Sequence, residues 1–177
     1  MNIKYVIGNV LEQKFNENTL ICHVVNTESK FGSGFAYGVL KKYPNVKNEY
    51  HKWCNNFTYQ CDFRKQNIPS ILGQIQLIKV EDNPNVYLCQ MMAQSTPGGN
   101  TFFVGKDEVH LRPIRLDSLR ECLLRVASIA KKNSLKVVGP MFAGGLAGAN
   151  FDLEVVPLIE ECLLKYDIDV TIYKLEA

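Results

Sequence analysis

Short apolar runs alternate with amphipathic stretches along this chain of 177 residues, and that alternation decides its class of fold. Apolar and β-branched runs predict strands, whereas apolar residues at helical spacing predict helices. Strands separated by helices pair in parallel, and helices then cover both faces of their sheet. The chain is therefore predicted to form a three-layer α/β/α fold with a mixed, mostly parallel central sheet.

The apolar pattern, together with prolines and turn residues, places the individual elements. Strands are predicted over residues 3–7, 19–25, 74–80, 86–91, 135–138 and 169–174. Helices are predicted over residues 34–42, 46–54 and about 113–132, with a last helix ending near residue 166. Pro113 suits the first turn of the third helix, where its missing N–H is no loss. Residues 55–70 are polar and predict irregular structure.

Composition limits the classes of partner. With 46% hydrophobic residues, a chain of this length can bury one core, so residues 1–177 are predicted to form a single domain. The net charge of +2 gives no strong field for nucleic acid, and no apolar run reaches the roughly 18 residues of a membrane span. The six cysteines show no paired short spacing, which indicates free thiols in a reducing compartment. We therefore expect a cytoplasmic monomer that acts on a small molecule.

One group of residues raises the question of a metal site. His51, Cys54 and Cys61 lie three and seven positions apart. Structural zinc sites usually repeat a tighter pair of ligands twice, and this sequence has no second pair. The sequence therefore predicts neither a metal nor a cofactor.

Two glycine-rich loops follow predicted strands, over residues 26–36 and 139–151. In open α/β sheets, ligands bind at the carboxyl ends of the strands. Glycine lets backbone N–H groups approach an anion closely, so two such loops at one sheet edge predict a site for a diphosphate. Neither a Walker motif nor a complete dinucleotide fingerprint occurs, which argues against a kinase or a dehydrogenase.

The order of these motifs resembles the macro domain family over residues 3–175. The matching motifs are Gly8-Asn9-Val10 after the first strand, Asn26 followed by Gly32-x-Gly34-Phe35-Ala36, Ala93-Gln94, and Gly144-Gly145-Leu146-Ala147-Gly148 before a helix. Within the family the chain resembles most the yeast-type ADP-ribose 1''-phosphate phosphatase branch. That branch also has Gly-Asn after the first strand and a histidine three positions before the loop asparagine, as His23 stands before Asn26.

The resemblance implies a ligand-binding role for each matching position. Asn9, between Gly8 and Val10, would read the adenine amino group through its amide oxygen. Phe142, Phe151 or Tyr173 would pack on the ribose or the adenine. The loop residues implied to contact the ligand are Lys30, Phe31, Gly32, Ser33, Gly34 and Phe35 in the first loop, and Ala143, Gly144, Gly145, Leu146, Ala147 and Gly148 in the second.

Hydrolysis of a phosphate monoester needs an oriented water, a neutralised phosphate charge and a proton-transfer group. His23 is the predicted proton-transfer group, because imidazole titrates near neutrality. Asn26 would orient the ribose or the water, and Glu28 would be a second acid or base. Against these roles, a histidine on an apolar strand is often a core residue, and Asn150 or Asp152 is predicted to cap a helix.

Three functions remain open after these comparisons of motifs. The leading one is an ADP-ribose 1''-phosphate phosphatase. The second is a hydrolase that removes ADP-ribose from protein or nucleic acid, although the family's catalytic lysine and aspartate are absent from Gln90-Met91-Met92 and Leu146-Ala147-Gly148, and Glu28 replaces the asparagine of the other hydrolase type. The third is a module that binds ADP-ribose without turnover.

Overall fold

The computed structural model describes residues 1–59, 71–95, 100–144 and 147–176, apart from the side chains of 57–59, 100–104 and 108–111. The strands are β1 (Lys4–Ile7), β2 (Thr19–Asn26), β3 (Ile75–Glu81), β4 (Val86–Gln94), β5 (Asn100–Val104), β6 (Asp107–Leu111), β7 (Lys136–Pro140) and β8 (Val170–Lys174). The helices are α1 (Phe35–Lys42), α2 (Asn45–Tyr59), α3 (Leu116–Asn133) and α4 (Val156–Cys162). Single turns of 3-10 helix span Val10–Glu12 and Leu164–Tyr166, and a π-helical turn, Phe151–Val155, leads into α4.

Six strands form the central sheet in the order β1-β8-β7-β2-β4-β3. The first five are parallel to one another, and β3 pairs antiparallel with β4 at the edge. The mixed, mostly parallel sheet is therefore confirmed. Because the strands are parallel, the carboxyl ends of β1, β8, β7, β2 and β4 meet at one edge, where the two glycine-rich loops emerge.

The two faces of the sheet bury alternate residues of each strand, as the pleat requires. In β2, Leu20 and Cys22 pack on one face with Leu119 and Leu123 of α3. Ile21 and Val25 pack on the other face, against residues of α1 and α2 such as Val39 and Tyr50. Helices thus cover both faces, and the three-layer arrangement is confirmed. Among the described helices, none has the length and apolar character that crossing a membrane requires.

Several predicted bounds need correction. Pro113 lies before α3 rather than in its first turn, since Arg115 is the N-cap and Leu116 the first helical residue. Residues 55–59, predicted to be irregular, continue α2, while residues 60–70 lie outside the described ranges. The last helix does not run unbroken to Tyr166, because α4 ends at Cys162. The β5–β6 hairpin, with Gly105 and Lys106 between its strands, was not predicted at all.

Candidate functional site

A cavity of about 510 Å³ opens at the carboxyl ends of the parallel strands. It lies between the two predicted glycine-rich loops, and residues of both loops form its walls. The predicted site residues that line it are His23, Asn26, Lys30, Phe31, Gly32, Ser33, Gly34, Phe35, Phe142, Ala143, Gly144, Ala147 and Tyr173. The cavity, which we call the cleft, brings together 13 predicted residues that are spread over 151 positions of the sequence.

The first loop is held in place by Asn26 at the end of β2. Its side chain binds the Lys30 backbone twice: Nδ2 donates to the Lys30 carbonyl at 2.8 Å, and Oδ1 accepts from the Lys30 N–H at 3.1 Å. The carbonyl of Asn26 accepts a hydrogen bond from the hydroxyl of Tyr50 on α2. Both polar atoms of the amide therefore hold the loop, which is a different role from the predicted orientation of ribose or water.

Gly34 begins α1 with a backbone that favours glycine. Its φ of 57° and ψ of −133° lie in a region that other residues avoid. Among the described residues, no side chain caps the first turn of α1, and a Cβ added at Gly34 would meet nothing within 4 Å. The N-terminal amides of α1 are thus left open to the cleft, and Gly34, Phe35 and Ala36 form part of its wall.

The second loop follows β7 and is closed by short backbone contacts. The Ala149 N–H donates to the Ala143 carbonyl at 2.9 Å, and Ala143 itself has a left-handed φ of 66°. Phe142 is buried and packs edge-on against Phe151, with 6.1 Å between ring centroids. Asn150 caps the following turn by accepting from the Leu153 N–H at 3.1 Å, so its predicted capping role is confirmed.

The charges around the cleft favour an anionic ligand. Lys30 and Lys174 line it, and among its described lining residues there is no aspartate or glutamate. The Lys30 ammonium lies 3.5 Å from the Glu28 carboxylate, and both side chains are well exposed. The Lys174 ammonium lies over the ring of Tyr5, 4.4 Å from its centroid. The net charge of the described residues that line the cleft is therefore positive.

His23 is buried at the bottom of the cleft, with 2% of its surface exposed. Its Nε2 lies 3.0 Å from Oε1 of Gln90 on β4, and its ring packs against Phe31 and Phe35. Burial lowers the pKa of His23 to about 4, an effect that the hydrogen bond to Gln90 only partly opposes. The premise that His23 titrates near neutrality is therefore wrong: the imidazole is neutral at pH 7 and has no proton to give as an acid.

Other predicted site residues lie away from the cleft wall. Glu28 is exposed and bound to Lys30, so the structure does not support it as a second acid or base. Asn9 uses its Oδ1 to accept from the Leu11 N–H at 3.0 Å, capping a 3-10 turn. The other predicted residues that do not line the cleft are Gly8, Val10, Gly148 and Phe151. Gly145 and Leu146 lie outside the described residues, as does Cys61 of the considered metal group.

The structure adds residues that the sequence did not single out as site residues. Gln94 and Lys174, at the ends of β4 and β8, line the cleft, and Met141 and Leu175 contribute apolar surface. Gln90 reaches the site through His23. A glutamine inside the apolar run of β4 is itself a signal, because a buried amide needs partners. Another cavity, of about 470 Å³, lies between α4 and the residues before β1, away from the carboxyl edge, and its lining includes Glu160.

Comparisons with known proteins agree with this architecture. No protein-family model matches the chain. A curated relative, the ADP-ribose 1''-phosphate phosphatase of Saccharomyces cerevisiae, is 26% identical over 119 residues, which cover 67% of this chain and 60% of the relative. The chain therefore matches less than two thirds of that protein's length.

Solved structures match over nearly the whole chain. A macrodomain protein from Streptomyces coelicolor is 28% identical, with a TM-score of 0.74 over 97% of this chain and 98% of that one. Thermosipho africanus DarTG in complex with ADP-ribose is 20% identical, with a TM-score of 0.70 over 98% of this chain and 41% of that one, a likeness of fold. These likenesses show that the chain has the macrodomain fold.

Proposed function

We propose that the chain binds ADP-ribose-type ligands in the cleft and hydrolyses ADP-ribose 1''-phosphate to ADP-ribose and phosphate. The observation that carries the proposal is the cleft itself, with two loops facing each other across it, two lysines in its wall and no carboxylate among its described lining residues. Its volume of about 510 Å³ lies in the range of small-molecule sites, which is about 300–1,000 Å³.

The first loop supports the binding of a diphosphate. The N-terminus of α1 carries partial positive charge and uncapped N–H groups, which suit phosphate oxygens. Open space beside Gly32 and Gly34 lets a phosphate approach their backbone directly. Phe35, Phe142 and Tyr173 offer ring surface to a ribose or an adenine. ADP-ribose, with which Thermosipho africanus DarTG forms a complex, has these same groups.

The phosphatase step is supported by the name of the curated relative. In the reaction, a water oxygen bonds to phosphorus, the bond from phosphorus to the ribose oxygen breaks, and the water proton ends on that oxygen. The loop amides and Lys30 would neutralise the charge that develops on the phosphoryl oxygens. Because His23 is neutral, we propose no proton donation from it.

A binding module without turnover is the second candidate. It is favoured by the same chemistry of the wall, because the described lining residues offer no carboxylate and only a neutral imidazole for proton transfer. We propose a cytoplasmic location for either function, since Cys22, Cys89, Cys122 and Cys162 are buried free thiols.

Three assays separate the candidates. Calorimetric titration with ADP-ribose should show one site per chain, and phosphate release from ADP-ribose 1''-phosphate should be catalytic. Binding without phosphate release would leave the module that only binds. Release of ADP-ribose from a modified protein, without phosphate release, would favour the de-ADP-ribosylating hydrolase. Absence of binding would contradict all three.

A further inference from the structure

A series of hydrogen bonds, which we call the relay, runs from the cleft across the sheet to the edge strand β3. His23 Nε2 lies 3.0 Å from Gln90 Oε1, and Gln90 Nε2 donates to Gln76 Oε1 at 2.9 Å. Gln76, on the edge strand β3, donates from Nε2 to the backbone carbonyl of Glu49 in α2 at 2.9 Å. Gln90 is completely buried, so its amide depends on these two partners.

The bond to the Glu49 carbonyl, at the far end of the relay, determines the direction of every other hydrogen bond in it. A carbonyl oxygen can only accept, so the Gln76 atom at Glu49 must be the NH₂ group. The oxygen of Gln76 then faces Gln90, which must present its own NH₂ group there. The oxygen of Gln90 consequently faces His23. Because that oxygen can only accept, the hydrogen of the neutral imidazole must be on Nε2.

The other ring nitrogen, Nδ1, is therefore an acceptor with a free lone pair. Within the described part of the chain, only Nε2 of His23 has a hydrogen-bond partner. Among the described residues, Thr171 Oγ1 is the only side-chain nitrogen or oxygen atom that is both fully buried and without a hydrogen-bond partner. Nδ1 has no partner among these residues, so it is not fully buried. Nδ1 thus reaches open space, and the open space beside His23 is the cleft.

We infer that Gln90 and Gln76 are positioning residues that hold His23 in its Nε2–H tautomer, so that Nδ1 accepts a hydrogen bond from a hydroxyl group of the ligand. The ligand part of this inference rests on the proposed function. The relay deepens that function by giving the cleft a requirement for a hydroxyl donor, in addition to its preference for an anion. A sugar bearing free hydroxyls meets that requirement.

The tautomer can be read directly from the ¹⁵N chemical shifts of His23 in long-range ¹H–¹⁵N spectra at pH 7. The protein should show a pyridine-type Nδ1 and a pyrrole-type Nε2. In Gln76→Met the relay loses its anchor, the Gln90 amide can turn over, and signals of the Nδ1–H tautomer should appear. Gln74→Met is the matched control, because Gln74 is also half-buried, lies two residues away, and has no side-chain bond to the relay. It should leave the spectrum unchanged.

The spectra decide the tautomer without any ligand. A wild-type protein with the hydrogen on Nδ1, or with a charged imidazolium at pH 7, would overturn the inference. An unchanged tautomer in Gln76→Met would show that Gln76 does not position His23 and would overturn it as well. The Gln74→Met spectrum distinguishes loss of the relay from a general disturbance of β3.

Ligand addition tests the second half. ADP-ribose should shift the Nδ1 resonance, whereas sulfate, an anion without a hydroxyl hydrogen at this pH, should not. Equal population of the two tautomers in Gln76→Met should weaken ADP-ribose binding about twofold, because only one tautomer is competent. Binding of ADP-ribose without a change at Nδ1 would refute hydroxyl recognition while leaving the proposed function standing. Absence of ADP-ribose binding would refute the proposed function and hydroxyl recognition together, with the tautomer result unaffected.

Discussion

His23 and Gln90 meet in the middle of the sheet, with 3.0 Å between Nε2 and Oε1, one from each of two neighbouring parallel strands. The two residues are direct partners in the register of β2 and β4. Each interrupts an apolar run, and each gives the other a hydrogen-bond partner although both side chains are buried. Burial keeps the imidazole neutral, and the bond to Gln90 satisfies one of its ring nitrogens.

The burial of His23 predicts how stability depends on pH. Its pKa falls from 6.5 to about 4 on folding, so below pH 6.5 the unfolded chain takes up a proton that the folded chain refuses. The stability conferred by the neutral ring is complete above pH 6.5 and is lost as the pH falls through 4. The loss should reach about 3 kcal/mol. Urea unfolding of the wild type and of His23→Gln, which cannot titrate but can still donate to Gln90, should show this difference. Parallel curves for both proteins would contradict it.

Gly34→Glu should abolish ADP-ribose binding. The substitution places a carboxylate in the open space beside the first turn of α1, where we expect the phosphates, and the N-terminus of a helix can then no longer serve the ligand. Gly105→Glu is the control, because Gly105 also has a left-handed φ, of 65°, and open space around it, but lies in the β5–β6 turn. Calorimetry should show binding only in the control. Unchanged affinity in Gly34→Glu would place the phosphates elsewhere.

Asn26→Ala should weaken ADP-ribose binding by about tenfold, through loss of the two bonds that hold Lys30 and the first loop. The free energy of unfolding should fall by only about 1–2 kcal/mol, the scale of hydrogen bonds to a backbone. Asn133→Ala removes a similar bond, from Nδ2 to the Ile129 carbonyl at 2.9 Å, at the far end of α3. That variant should bind normally. Equal affinities in the two variants would show that the Asn26 clamp does not shape the cleft.

Glu28→Gln separates the two interpretations of Glu28. If the carboxylate only neutralises Lys30, its removal should strengthen ADP-ribose binding by about twofold and leave phosphate release intact, as expected for an exposed ion pair. Asp169→Asn, which breaks another 3.5 Å pair, with Lys4, is the control for charge alone. A fall in phosphate release of about a hundredfold in Glu28→Gln would restore its role as an acid or base.

The sequence predicted the layers and the position of the cleft because these depend on apolar periodicity and on glycine. β2 and β4 are mostly apolar, and α3 shows helical spacing, so all three were located to within a few residues. The hairpin was missed because each of its strands is only five residues long and β6 begins with the charged pair Asp107-Glu108. The start of α3 was placed too early because Pro113 suits either the turn before a helix or its first residue.

The roles inside the cleft were harder to predict than its position. Periodicity shows that His23 is on an apolar strand, but not that Gln90 faces it, since that requires the register of β2 with β4. Asn26 was assigned to the ligand because its local partner, the Lys30 backbone, depends on loop geometry. Lys174 and Gln94 were not assigned to the site, because only the strand order brings the ends of β8 and β4 to the same edge.

The crystal structure of the chain with ADP-ribose tests the account most directly. We predict that the diphosphate lies between the backbone of Gly32–Ala36 and that of Met141–Gly144, with a ligand hydroxyl within hydrogen-bond distance of His23 Nδ1. An empty cleft at saturating ADP-ribose, or a diphosphate bound at another surface, would contradict it.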